Sequence, residues 1–381
     1  MESLSETAAQ IRQRRGASAK WTEYPSEALP AWVADMDFLP PDPVIETLQR
    51  LVGAGDLGYP AKGLAEGYRK AYSQWSLAHF GVDSDSLILL PDVVTGLFLA
   101  MRTLVEPHSS IALLTPSYPP FYASIRENGL EVEAVPLIVS REGYQIDFER
   151  LGASFAKPEV TAFILCSPHN PTGRAWTRGE LEEISRLSDT YGVQVVSDEI
   201  HQDIRFPGVG HIPFHSLGTD AAERSVVISA ATKTFNLAGL KVAHMHSSSR
   251  AVRGRLLAFP EHLRGQATGI GLLAAATAYE LGDPWLKGIL TTLQGNRNRI
   301  DQWVHSTPAV KGYAPDATYL YWLEFPFDNA AARILDRVSI ALSPGTDYEP
   351  SADKFVRLNY ATYPDVLEEI LMGLDQMISE S

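Results

Sequence analysis

From about residue 86 onward the chain repeats one pattern: a short apolar run, a turn holding Gly or Pro, then a helical stretch. Leu87–Leu90, Ile111–Leu114, Val132–Val135, Ala162–Cys166, Val193–Val196 and Ser225–Ala230 read as strands. Most of them are continuously apolar, as strands buried on both faces are. Strands alternating with helices predict an α/β fold with a largely parallel central sheet. Among the helices, residues 177–191 open on Thr177 with Glu180 in a capping-box relation, and Asp42 is expected to cap a helix whose first position is Pro43. Past residue 249 the texture becomes helical, over 249–265, 269–279 and about 284–305. Strands follow at Tyr319–Phe325, Ile340–Leu342 and Phe355–Asn359, with a last helix from 364. This division predicts a large α/β domain over 46–285 and a small α+β domain built from 1–45 and 286–381.

Composition narrows the function. The 381 residues carry a formal net charge of −14, with 45% hydrophobic and 20% charged residues. An acidic globular chain is a poor partner for nucleic acid or anionic membrane, both of which need a basic surface, so a small molecule is favoured. The one cysteine, Cys166, leaves no disulfide framework, and the stretch Met1–Arg15 holds no apolar core of signal-peptide length. Together these predict a cytoplasmic protein.

The candidate chemistry gathers at the ends of the strands. Lys233 stands just past the run 225–230, at what should be a strand's carboxyl end, the edge where open α/β sheets bind ligands. An amine desolvated there can attack a carbonyl and form a Schiff base; taken alone, a lysine reaching solvent at the rim explains the stretch as well. Thr115–Pro120, Ser167–Gly173 and Ser197–His201 are the other polar strand ends. Asp198 closes an apolar strand, and a carboxylate buried there needs a cation or good donors; an ion pair with an arginine would satisfy it too. The turn at Thr95 and Gly96 starts a helix after a strand, a place where backbone N–H groups can meet a phosphate. His244 and His246, like His211 and His215, lack further ligands for zinc, so no metal is expected. Cys166 reads as core.

In combination, Trp32-Val-Ala-Asp-Met-Asp-Phe38, Gly58-Tyr-Pro60, Pro116-Ser-Tyr-Pro-Pro-Phe121, Asn170-Pro-Thr-Gly173, Asp198-Glu-Ile-His201, Thr232-Lys-Thr-Phe-Asn-Leu-Ala-Gly239 and Arg357-Leu-Asn-Tyr360 resemble a fold-type I pyridoxal-phosphate (PLP) enzyme of the aspartate aminotransferase superfamily. Within it they look like the bacterial C-S lyase, or cystathionine β-lyase, branch. The resemblance implies that Lys233 attaches PLP and shuttles a proton, and that Asp198 keeps the pyridine nitrogen protonated. It implies that Asn170 and His201 bond the phenolic oxygen and that Tyr118 stacks on the ring. Thr95, Gly96, Thr232 and Lys241 would hold the phosphate, with Tyr59 doing so from the partner subunit of a homodimer. Arg357 would clamp the substrate carboxylate, beside Ala34, Asn170 and Tyr118. Ala230, Lys241 and Ala34 depart from the serine, arginine and glycine common at those places.

The implied activity is β-elimination from a cysteine S-conjugate such as cystathionine, giving thiol, pyruvate and ammonia. An aminotransferase would share the same residues. A non-catalytic regulatory relative would have no need of Lys233.

Overall fold

The computed structural model describes residues 6–84 and 86–379. The chain forms two compact units. The larger holds Leu39–His169 and Ala175–Leu286; the smaller holds the described residues up to Phe38, Asn170–Arg174, and those from Lys287 on. The segment Asn170–Arg174, inside the expected 46–285 domain, thus goes with the smaller unit.

In the larger unit seven strands form one sheet. In chain order they are β1 (Leu87–Leu90), β2 (Ser110–Thr115), β3 (Glu131–Pro136), β4 (Val160–Cys166), β5 (Gln194–Asp198), β6 (Ser225–Ser229) and β7 (Ala243–His246). Across the sheet they run β1-β7-β6-β5-β4-β2-β3. All neighbouring pairs are parallel except those of β7, which is antiparallel to both β1 and β6. The β-branched and aliphatic runs go to strands because both faces are covered. Ile111, Leu113, Ile164, Val196 and Ile228 join one core with the helix Val93–Leu104. Their neighbours Ala112, Leu114, Phe163, Leu165, Val195 and Val227 join the core on the other face, as the period of two requires.

Local capping chemistry sets some of the helix ends. Thr177 and Glu180 form the expected capping box on Arg178–Tyr191, which stops at Gly192 with φ 74°, the left-handed turn that glycine supplies without strain. Two expectations need correction. Asp42 is the first helical residue, not the cap; Pro41 precedes the helix Asp42–Ala54. The expected helix over 249–265 is two, Arg250–Ala258 and Glu261–Arg264, because Pro260 lacks the N–H that would continue the first. Among the described residues no helix is long and apolar enough to cross a membrane.

Behind β6 and β7 lies an aromatic cluster: Tyr68, Tyr72 and Trp75 of the helix Lys62–Phe80, Phe235, Tyr279 and His244. His244 Nδ1 lies 2.7 Å from the Tyr68 hydroxyl, and among the described residues its Nε2 has no hydrogen-bond partner. Burial pushes the imidazole down to about 3, and His246 acts in the same direction. The folded chain keeps this ring neutral where the unfolded chain protonates it, so its contribution is complete above about pH 6.5 and is lost as pH falls toward 3. Thermal melts should accordingly show wild type losing up to about 1.4 kcal/mol more per pH unit than His244→Leu between roughly pH 6 and pH 4. Parallel pH profiles of the two proteins would contradict this.

The smaller unit carries an antiparallel sheet in which Phe355–Asn359 lies between Leu320–Glu324 and Ser343–Pro344. Leu29–Pro30 pairs in parallel with Ile340–Ala341. The strip after Pro30 is held by its carbonyls. Trp32 accepts from Arg357 and Ser343, Val33 and Asp35 from the Asn359 amide, Ala34 from the Tyr319 hydroxyl, Met36 from Arg15 and Asp37 from Arg14. Beneath it Lys20 and Asp37 form a fully buried ion pair at 2.8 Å, to which the Trp21 indole adds a 2.7 Å bond.

Candidate active site

Strand register brings the chemistry of the larger unit to one sheet edge. Cys166 of β4 lies opposite Asp198 of β5, which lies opposite Ile228 of β6. The chain leaves β6 through Ala230 into a single helical turn, Ala231–Thr234, that carries Lys233. Thr232 and Thr234 are buried and Lys233 is half-buried. The turn after β5 holds Asp198, Glu199 and His201, all buried.

The two adjacent acids have different fates. Glu199 accepts bonds from Ser197 Oγ, the Phe214 N–H and His211 Nε2, each at 2.9 Å, and is thereby satisfied as a structural group. Asp198 accepts the Ile200 N–H at 3.0 Å, and among the described residues no cation forms an ion pair with it. Burial raises its carboxyl to about 7, the Ile200 bond opposes the rise, Glu199 adds to it and Lys233 lowers it. A half-ionised, buried carboxylate at a strand end is a natural partner for a cationic ring N–H. The donor set of the larger unit therefore fits PLP.

At the start of Val93–Leu104 the cap is Asp92, a residue that none of the sequence motifs includes; an Asp three residues before Thr95 is the signal it offers. Its Oδ1 accepts the Thr95 N–H at 2.8 Å and its Oδ2 accepts from Lys241 Nζ at 3.2 Å. Burial pushes the Asp92 carboxyl up, but these bonds outweigh it and hold it below the usual range. Thr95 and Lys241, expected to grip a phosphate, are thus gathered around one carboxylate. Gly96 is needed for packing. A Cβ there would lie 3.0 Å from both Ile228 Cγ2 and Leu90 Cδ1. Tyr118, half-buried, precedes the helix Pro119–Glu127, its ring edge-on to Phe121 at 5.5 Å. Tyr59 is fully exposed, at 103%.

The smaller unit gathers the rest. Arg357 is 3% exposed. Its Nη1 donates to Asn170 Oδ1 at 3.1 Å and its Nη2 to the Trp32 carbonyl at 2.9 Å and to Ser343 Oγ at 3.3 Å, while the guanidinium lies 5.0 Å from the Tyr348 ring centroid. Among the described residues its Nε has no hydrogen-bond partner and no carboxylate forms an ion pair with it. A buried guanidinium without a counter-ion is costly unless an anion arrives, and a planar fork suits a carboxylate. Asn170 is placed by the residues on its C-terminal side. Gly173, at φ 71°, packs so close that a Cβ would lie 2.2 Å from Pro315 Cβ, and Arg174 bonds Asp316 at 2.9 Å. Ala34 is buried beside this set on the clamped strip. Ser343 and Tyr348, which no sequence motif marks, reach Arg357 only through tertiary pairing.

The remaining candidates are structural. Cys166 is buried and its thiol donates to the Pro168 carbonyl at 3.3 Å. His215 and His246 pack with their rings tilted by 52° at 4.5 Å between centroids. Among the described residues no group of three or more His, Cys, Asp or Glu converges as a metal site.

Comparison with known proteins shows the family. The family Aminotransferase class I and II matches residues 33–374. The chain is 36% identical over 362 residues to cystathionine beta-lyase PatB of Bacillus subtilis, covering 92% of this chain and 93% of that one. Among solved structures it is similar to cystalysin of Treponema denticola, which contains a pyridoxal 5'-phosphate cofactor, with TM-score 0.90, 27% identity and 97% of each chain covered. A PLP-bound putative aminotransferase of Clostridium difficile 630 gives TM-score 0.91 at 28% identity, covering 96% of this chain and 97% of that one. This chain belongs to the aminotransferase class I and II family of fold-type I PLP enzymes, on its C-S lyase branch.

Proposed function

We propose that the protein is a PLP-dependent carbon–sulfur β-lyase that cleaves cystathionine or another cysteine S-conjugate to a thiol, pyruvate and ammonia. The observation that carries the cofactor chemistry is the placement, at the carboxyl ends of adjacent parallel strands, of Lys233 and a buried Asp198 with which no cation among the described residues forms an ion pair. The preference for β-elimination over transamination rests on the curated relatives, named as cystathionine β-lyases along nearly their whole length.

The chemistry PLP supplies when bound is an electron sink for the pair left at the substrate's α-carbon. The chain's own residues would do the rest. Lys233 Nζ would attach the cofactor, take the α-proton and hold it next to the departing sulfur. Asp198 would share a proton with the ring nitrogen and keep it there. Tyr118 would cover the ring face, and His201 and Asn170 would bond the phenolic oxygen. Thr95, Gly96, Thr232 and Lys241 would hold the phosphate. Arg357 would grip the substrate carboxylate through its unpartnered Nε, above Ala34. Tyr59, fully exposed, would serve the phosphate of a second copy in a homodimer. The cytoplasm is the location that the single cysteine supports.

Purified protein incubated with PLP and L-cystathionine should release pyruvate and free thiol in equal amounts. A parallel incubation with an amino donor and a keto acid should turn over far more slowly. Turnover that depends on the keto acid and releases no thiol would reject the lyase in favour of the aminotransferase.

A further inference from the structure

Beyond the groups that would touch cofactor or substrate, one buried carboxylate connects two parts of the site. Asp203, 3% exposed, accepts the Trp75 indole N–H on Oδ1 at 2.9 Å and the Thr234 hydroxyl on Oδ2 at 2.8 Å. Thr234 directly follows Lys233. Asp203 itself sits in the tight turn leaving β5, whose Gln202 N–H bonds the Glu199 carbonyl at 2.9 Å and whose Ile204 N–H bonds the His201 carbonyl at 3.0 Å. A single side chain therefore ties the turn of Asp198 and His201 to the turn of Lys233, with a third attachment to the helix Lys62–Phe80.

The Lys233 turn needs such an anchor. It is four residues long, two of them threonine, and has no side-chain cap; a single turn does not repay the cost of its own nucleation. Beyond it Phe235 packs against Trp75 and Tyr279, and on this largely aromatic floor the Thr234–Asp203 bond adds a buried polar tie. A carboxylate on such a floor is stable only while its donors are in place.

We infer that Asp203 is a positioning residue for Lys233: through Thr234 it holds the lysine's turn in register with the turn of Asp198. The inference rests on Lys233 being the residue that attaches PLP. Asp203→Asn keeps the shape but offers one acceptor oxygen where two donors require two; Thr234→Val deletes one donor, and Thr234→Ser keeps it.

In the PLP-loaded enzyme, Asp203→Asn and Thr234→Val are expected to lower kcat by about 10²-fold, with KM changed by less than about threefold. Both should also move the pH midpoint of the cofactor's visible band. Thr234→Ser should restore kcat and midpoint, and the double variant should fall no further than the worse single one. Full kcat and an unmoved midpoint in the two disruptive variants, or a loss confined to melting temperature, would overturn the assignment. So would additive losses in the double variant. Borohydride reduction of wild type with peptide mapping separates the two levels: cofactor mass on Lys233 upholds the underlying reading whatever the variants do, and its absence there overturns both.

Discussion

A Lys233→Ala protein is expected to lose β-elimination by about 10⁴-fold or more and, with it, the visible absorbance of covalently held cofactor. No neighbour can take over. Thr232 and Thr234 on the same turn carry no amine, and the lysine nearest in sequence, Lys241, has a side chain 57% exposed and engaged with Asp92. The loss should appear in kcat rather than in substrate affinity, because Arg357 and the clamped strip 32–37 belong to the other unit and are untouched. Lys233→Arg should be as inactive, since a guanidinium stays protonated and neither attacks a carbonyl nor accepts the α-proton. Spectral titration with PLP measures the first effect, and pyruvate release measures the second. A Lys233→Ala protein that kept both the band and the rate would remove lysine from the mechanism.

How much of the molecule is legible in its sequence depends on how local each determinant is. Strands buried on both faces announce themselves by composition, and β1, β2 and β4 to β6 stand where their apolar runs do. The capping box at Thr177 is equally local. The antiparallel insertion of β7 between β1 and β6 is not, because Ala243–His246 looks the same in either direction; only its partners decide. The division of labour between Asp198 and Glu199 is implied by the family resemblance, but its physical cause is not local. It depends on His211 and the Phe214 amide, brought to Glu199 from a later loop, while among the described residues no cation forms an ion pair with Asp198. Arg357 can be picked out by its motif, but its bond to Asn170 requires the packing of Gly173 on Pro315. Asp203 has a faint signal: an acid between Ile200 and Ile204, in a run otherwise bound for the interior.

The second large effect concerns Asp198, where function and stability should part. The folded chain holds this carboxyl at about 7, whereas the unfolded chain ionises it near the ordinary value of about 3.9. The folded state therefore binds the proton more tightly, so the protein stripped of PLP is at full strength below about pH 4 and loses stability as pH rises through 7. Asn at this position is never charged and escapes that loss. Stripped Asp198→Asn is expected to exceed stripped wild type by about 2–4 kcal/mol at pH 8 and to match it near pH 4; denaturant melts at the two pH values measure the difference. With PLP bound the order should reverse, because the ring N–H⁺ supplies an adjacent cation to wild-type Asp198, and the variant should lose activity by about 10³-fold or more. Equal stability of the stripped proteins at pH 8 would mean that Asp198 already has a partner in the cofactor-free chain, and the electrostatic basis of its affinity toward a cationic ring would fall. A more stable variant without activity would show this position kept acidic for the reaction at a cost to the fold.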